Sequence, residues 1–254
     1  MSRRDFCSPQ GLLHRQAVEE LFDDYAEQFE EHLVGGLQYR GPEIVAQLIS
    51  EVLAPQGQDD LGFVVELGCG TGLCAIPVRP FASRLVGIDV SEGMLDIARA
   101  KGADGVPGSD GNLYDELLHM DAAVGLAKQE SGSVDHIVAG DMFIYVWSVE
   151  HVFQACAKAL KPGGTLTFTT EAMEEGESEE GWIERESERF AHSQAYILEA
   201  CERHGLAPER CLRVDLRREK GQVAAPDAVA SSGEDAGKPK AGYLKGGAFV
   251  MRKI

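Results

Sequence analysis

The sequence predicts an α/β protein: a doubly wound, mostly parallel sheet of seven strands with a helical cap at its N-terminus. Three observations carry this. Short apolar runs alternate with helical periodicity from Phe63 to Thr170. The first of those runs ends in a glycine loop, Gly68-Cys-Gly-Thr-Gly72. The 57 residues at the start show helical spacing and no strand pattern.

Between Leu12 and Leu33 the apolar residues include Val18, Leu21, Phe22, Tyr25 and Phe29, steps of three and four that form one helical stripe. A break is expected near Asp23-Asp24. Gly35-Gly36 punctuates, and Pro42 opens a second amphipathic helix that Pro55-Gln-Gly57 ends. Phe63-Val-Val-Glu-Leu67 reads as a buried parallel strand, and Arg84-Leu-Val-Gly-Ile-Asp89 as the second. Ser91 suits the N-cap of the helix that carries Met94, Leu95, Ile97 and Ala98. Residues 102–112 are turn-formers without periodicity and read as a surface insertion.

Tyr114 to Met120 can supply a third strand, although Leu117-Leu118-His119 alone fits a helix as well. Val134 to Ala139 is the fourth strand, Val149 to Leu160 a helix, and Lys161-Pro-Gly-Gly164 a tight turn. The β-branched Thr165 to Thr170 is the fifth strand. A glutamate-rich stretch, 171–188, precedes a helix from about His192 to His204. Cys211 to Leu216 and Tyr243 to Met251 close the sheet. Between them, 221–240 offers too little apolar surface to offset the entropy of ordering and reads as a disordered loop. The expectation is one unit: cap 1–57, core 62–170, and lid plus closing strands 171–254.

The chain carries 42 Asp+Glu against 24 Lys+Arg, a formal charge of −18, which argues against a nucleic-acid partner held by phosphate neutralisation. Its six cysteines show no CxxC pair and no zinc spacing, so they read as reduced thiols. No apolar run reaches the roughly 18–20 residues that cross a bilayer. Residues 1–10 lack an apolar signal segment, so a cytoplasmic protein without membrane contact is expected.

The stretch Glu66-Leu-Gly-Cys-Gly-Thr-Gly72 lies between a strand and a helical segment. Glycines there let the backbone approach a ligand closely, and a helix N-terminus offers free N–H groups. A dinucleotide fingerprint needs glycine at 73, where Leu73 stands. The stretch instead resembles motif I of the class I S-adenosylmethionine (SAM)-dependent methyltransferases. The likeness continues in order through Asp89, seventeen residues past Gly72, then Met120-Asp121, Ala139-Gly-Asp-Met142 and Lys161-Pro-Gly-Gly164.

The resemblance implies SAM as methyl donor and S-adenosylhomocysteine (SAH) as product. It implies that Gly68, Cys69, Gly70 and Gly72 cradle the cofactor and that Asp89, with Val90 and Met94 beside it, accepts from both ribose hydroxyls. An ionised carboxylate suits that bidentate role. It further implies Asp121 and Ala122 at the adenine, and Glu66 near the methionine ammonium or satisfying backbone groups. Outside the core, Phe22-Asp-Asp-Tyr-Ala26, Phe29-x-x-His32-Leu33, Leu37-x-Tyr39-Arg40-x-Pro42 and Arg189-Phe-Ala-His-Ser193 are similar to the bacterial predicted TPR-associated methyltransferases. The repeats of that group are absent here.

Methyl transfer is an in-line displacement, so the enzyme must align a nucleophile, take its proton if it has one and exclude water. Substrate sites in such folds lie beyond strands four and five, which points to Asp141, Phe143, Tyr145, Trp147 and Glu171. Asp141, Tyr145 and His192 are the candidate catalytic residues. His192 reads as a general base or as a helix-start histidine bonded to backbone. Tyr25, Tyr39 and Arg40 are expected to cap the cofactor, Arg40 reaching its carboxylate; Tyr25 fits the helix's apolar face equally. The glutamates of 171–188, with Trp182 and Phe190, either attract a cationic substrate or form a solvated loop.

No cluster has metal-ligand spacing, and no metal is expected. The leading expectation is a monomeric or homodimeric methyltransferase acting on a small-molecule O- or N-acceptor. The alternatives are a protein methyltransferase, or a SAM-binding scaffold without catalysis.

Overall fold

The computed structural model describes residues 9–53, 60–146, 148–174, 176–218 and 243–254. The expected disordered loop 221–240 and Trp147 lie outside the described residues.

Five strands form the parallel core: β1 (Gly62–Leu67), β2 (Ala82–Asp89), β3 (Glu116–His119), β4 (Val134–Ala139) and β5 (Leu160–Ala172). Their order across the sheet is β3-β2-β1-β4-β5. The chain winds outward from β1 on one side, then restarts at β4 on the other, which opens a crevice beyond the carboxyl ends of β1 and β4. Two closing strands, β8 (Leu206–Arg218) and β9 (Tyr243–Lys253), follow antiparallel, with β9 on β5 and β8 on β9. These are the seven predicted strands.

The sheet has two more. The carboxyl end of β5 also pairs with β7 (Phe190–His192), and β6 (Trp182–Glu184) pairs with β7. The segment read as a glutamate loop followed by a helix at His192 therefore contains a hairpin. Its cause is the length of β5, whose last residues present an open edge that β7 covers. The helix begins later, as α7 (Gln194–Arg203), capped by the Ser193 hydroxyl, which accepts from the Tyr196 N–H.

Helices cover both faces. Val65 and Leu67 of β1 pack with α5 (Ala122–Ala127), α6 (Glu150–Ala159) and α7 in one core. Val64 packs on the other side with α2 (Gly41–Leu53), α3 (Ala75–Val78) and α4 (Glu92–Arg99). Strand alternation requires that division. The cysteines at 69, 74, 156, 201 and 211 are free thiols.

The cap differs from expectation at one point. Helix α1 (Pro9–Glu30) runs unbroken through Asp23-Asp24 and unwinds only in a π-helical stretch, Glu31–Gly36. Two aspartates cost a helix interior too little to break it, and the Asp23 carboxylate serves another helix. Oδ1 accepts from the Ser91 hydroxyl at 2.6 Å and from the Gly93 N–H at 3.0 Å, at the N-terminus of α4. At the far end of α1, Glu30 pairs with Lys101, whose ammonium also donates to the Thr71 carbonyl at 2.7 Å. Among the described residues no helix is long and apolar enough to cross a membrane.

Candidate active site

A cavity of about 400 Å³ occupies the crevice, floored by the ends of β1, β2 and β4 and roofed by α1. That size suits a small organic ligand. Glu66, Gly68, Cys69, Gly70, Asp89, Val90, Met94, Asp121, Ala122, Asp141, Tyr145 and Tyr25 all line it. Most of the residues singled out in the sequence therefore meet in one place.

The glycine loop turns through left-handed backbone at Gly70, φ +51°, where an added Cβ would meet nothing within 4 Å. Its N–H donates to Asp89 Oδ2 at 2.7 Å, and the Ser91 N–H donates to Asp89 Oδ1 at 2.9 Å. These two bonds fix the carboxylate at the cavity wall. Burial pushes the Asp89 carboxyl above its usual range, opposed by those N–H donors.

Glu66 is buried behind the loop, where the Tyr114 hydroxyl donates to Oε2 at 2.8 Å. Burial raises its carboxyl from the ordinary 4.5 to about 8, with the Tyr114 hydrogen bond acting against the rise. Asp121 caps α5, accepting from the N–H groups of Ala123 at 3.0 Å and Val124 at 3.2 Å through Oδ1. Those bonds leave Oδ2 for another donor.

Asp141 is a non-glycine residue in left-handed backbone, φ +57°, held there by a bond from its N–H to Thr169 Oγ1 at 2.9 Å. Strain of this kind costs of order 1–3 kcal/mol and persists only where the surroundings impose it. Oδ2 pairs with Arg217, which is 3% exposed and also donates to Glu171 at 3.3 Å. Two buried polar atoms on the cavity wall, Asp141 Oδ1 and Thr71 Oγ1, have no hydrogen-bond partner among the described residues. A polar ligand would satisfy them.

The roof brings aromatic and basic groups. Phe22 meets Tyr145 edge to face at 5.1 Å between ring centroids, and Tyr25 meets Phe29 at 5.8 Å. His14 donates from Nε2 to the Tyr145 carbonyl at 3.0 Å, and the Tyr25 hydroxyl bonds His32 Nδ1. Arg189 donates from Nε to the Tyr145 hydroxyl at 3.3 Å.

Three expected site residues, Arg40, Phe143 and His192, stand elsewhere, and two more, Gly72 and Glu171, sit behind the wall or are otherwise engaged. Arg40 is exposed and away from the cavity, its N–H donating to the Leu216 carbonyl where the cap docks on β8. Gly72 is a packing glycine, because a Cβ there would lie 2.6 Å from Leu113. Phe143 is fully buried in the ring cluster with Phe153 and Phe168. Glu171 is engaged by Arg217 and Arg185. His192 lies in β7, stacked on Tyr196, and donates from Nε2 to the Val146 carbonyl at 2.9 Å. β7 is paired on both edges, and His192 is not among the residues that line the cavity, whereas Val146, whose carbonyl it bonds, is. Trp147 lies outside the described residues.

Sequence reasoning missed Tyr114, Lys101, Arg217 and Arg189. An isolated Tyr or Arg carries no periodic signal, although Arg189 opened a run already singled out. Among the described residues no three His, Cys, Asp or Glu side chains gather to hold a metal ion.

Comparison with known proteins gives a consistent picture. Residues 65–168 match the family model described as a methyltransferase domain. The chain is 24% identical over 196 residues to the malonyl-[acyl-carrier protein] O-methyltransferase of Brevibacillus brevis, covering 76% of this chain and 64% of that protein. It is 32% identical over 107 residues to the ubiquinone biosynthesis O-methyltransferase of Idiomarina loihiensis, covering 42% of this chain and 41% of that protein. The match thus spans less than two thirds of either relative. In fold it is similar to the magnesium protoporphyrin IX methyltransferase of Synechocystis with bound SAH, TM-score 0.64 at 14% identity, covering 95% of this chain and all of that one. The 1,6-didemethyltoxoflavin-N1-methyltransferase of Burkholderia thailandensis gives the same TM-score at 12% identity, covering 100% of this chain and 93% of that one. Residues 65–168 therefore resemble a methyltransferase domain, and the α/β fold around them is the one seen in those two methyltransferases.

Proposed function

We propose that this protein transfers the methyl group of SAM to a small-molecule O- or N-acceptor. The observation that carries the reading is Asp89, buried at the cavity wall and held by the N–H groups of Gly70 and Ser91. A carboxylate oriented in this way suits a vicinal diol. SAM, when bound, supplies a methyl carbon made electrophilic by a sulfonium. The chain's part is to bind, orient and keep water out. Asp89 takes the ribose, with Val90 and Met94 beside it; Asp121 and Ala122 take the adenine; Glu66 and Asp141 Oδ1 face the ammonium end. Tyr145 and Asp141 border the space left for the acceptor, and Tyr25 closes the roof.

That roof favours a compact acceptor over a nucleic acid, and the O-methyltransferase relatives support an oxygen nucleophile. We further propose one methyltransferase unit across 1–254, acting in the cytoplasm as a monomer or homodimer and related to the TPR-associated group. Tyr25, His32 and Tyr39, three of that likeness's residues, line the cavity. Calorimetry with SAH tests the site, and a screen with labelled SAM and mass detection tests turnover. No SAH binding at millimolar concentration, with NAD bound in its place, would overturn the reading.

Glu66 gives a pH signature. Between pH 4.5 and about 8 the folded chain keeps a proton that the unfolded chain has released. Its stabilising contribution is therefore full below pH 4.5 and is lost as pH rises through 8. An ammonium beside Glu66 favours the ionised form. SAH binding at pH 7 is expected to release most of one proton, and affinity should rise toward pH 8. Calorimetry in two buffers of different ionisation enthalpy reads the proton directly. Glu66→Gln should abolish the release, and an unchanged release in that variant would remove Glu66 from the ammonium.

His192→Ala is expected to lower stability and leave the pH profile of turnover unshifted, since the ring supports the wall and does not face the acceptor space. A lost acidic limb in that profile would restore it as a base.

A further inference from the structure

The chain has 42 acids and 24 bases, and its described arginines are mostly paired: Arg79, Arg84, Arg185, Arg203, Arg213 and Arg217 each hold a carboxylate. Arg189 is different. It is half-buried and lines the cavity, yet no described residue places a carboxylate within salt-bridge distance of it. Its hydrogen bond is the one from Nε to the Tyr145 hydroxyl at 3.3 Å, which leaves both terminal amino groups without a partner among the described residues. Tyr145, Asp141 and Glu171 keep the charge on the guanidinium against the burial that opposes it. Arg15 of α1 lines the same cavity and is likewise without an ion partner among the described residues.

The charges of the cavity are thus divided. Glu66, Asp89 and Asp121 stand where the cofactor is proposed, and the two arginines belong to the cap and to the segment before β7. Phe22, Phe29 and Tyr145 give the same cavity an aromatic lining. A partly desolvated cation without a counterion is costly unless a ligand supplies one. A guanidinium fork with both ends open matches a carboxylate in bidentate geometry. A phosphate dianion fits this corner less well, because the Asp141 carboxylate already bears on Arg189.

We propose that Arg189, steadied by Tyr145, anchors a carboxylate on the methyl acceptor, so that the acceptor is an apolar acid. The assignment rests on the methyltransferase reading and narrows it to a substrate class.

The test uses the full chain saturated with SAH and three probes: 3-phenylpropionate, indole-3-acetate and octanoate, each beside its primary amide. Ligand-observed NMR titration is expected to show at least one acid binding at least tenfold more tightly than its amide. Arg189→Gln should remove that difference, and Arg189→Lys should keep part of it. SAH affinity should stay within twofold in both variants. Equal binding of every acid and amide, failure of all three acids to bind, or an unchanged preference in Arg189→Gln would overturn the anchor. A loss of SAH affinity in Arg189→Gln matching the loss for the acid would assign the arginine to the cofactor's own carboxylate, and so also overturn it. Wild-type chain that fails to bind SAH would sink the methyltransferase reading as well, whereas the other failures leave that reading standing.

Discussion

Arg217→Met is expected to lower the stability of the protein by about 3–5 kcal/mol, the usual cost of removing one partner from a buried ionic group. Arg217 is 3% exposed and lies between Asp141 and Glu171, whose side chains are 14% and 5% exposed. Without it, both carboxylates remain buried and face one another. For a chain of this size the loss corresponds to a melting temperature lower by about 6–20 °C. The deficit has a pH signature. Burial already lifts the Glu171 carboxyl, and Arg217 opposes that rise. Without Arg217 the folded-state value climbs further, so the penalty is full above the carboxylate range and shrinks as acid protonates Glu171. Thermal melts of Arg217→Met between pH 5 and 8 check this, and adding Glu171→Gln should recover part of the loss. A variant melting within two degrees of wild type at pH 8 would show that the network does not hold the cavity floor.

Asp89→Ala is expected to weaken SAH binding by more than about 2 kcal/mol, roughly thirtyfold. Charged hydrogen bonds contribute about 1.5–3 kcal/mol each, and a carboxylate on a diol makes two that are not fully additive. The substitution also strands the N–H groups of Gly70 and Ser91, which adds to the loss by loosening the glycine loop. Asp89→Asn separates the two effects. One amide oxygen can still accept from an N–H, so the loop stays close to its wild-type form, while the charge toward the ribose is gone. Calorimetry on both variants provides the comparison, and a wild-type dissociation constant in Asp89→Ala would remove this residue from the site.

The sequence determined the parts of this protein that follow from local pattern. Phe63 to Leu67 and Val134 to Ala139 are mainly apolar runs, and both form central strands whose carboxyl-terminal residues are buried. The G-x-G-x-G loop after Glu66 and the acid at Asp89 stand at fixed spacings along the chain, so the wall on which the cofactor is proposed to lie was legible in the sequence. Tertiary structure decided what lies between elements distant in sequence. Asp23-Asp24 looked like a break in the helix, yet α1 continues through it, and tertiary contact gives the Asp23 carboxylate to the N-terminus of α4. His192 reads as a general base or as a helix-start histidine bonded to backbone. The overlong β5 instead recruits it into a strand, where pairing on both edges fixes which way its ring points. Arg189 and Arg217 look alike as isolated arginines. Arg217 meets two acids and Arg189 none within salt-bridge distance among the described residues, because β8 sets Arg217 between Asp141 and Glu171. Periodicity encodes which face of an element is buried. The partner of a buried charge is set by chain segments 46 and 76 residues apart, and no local pattern records that meeting.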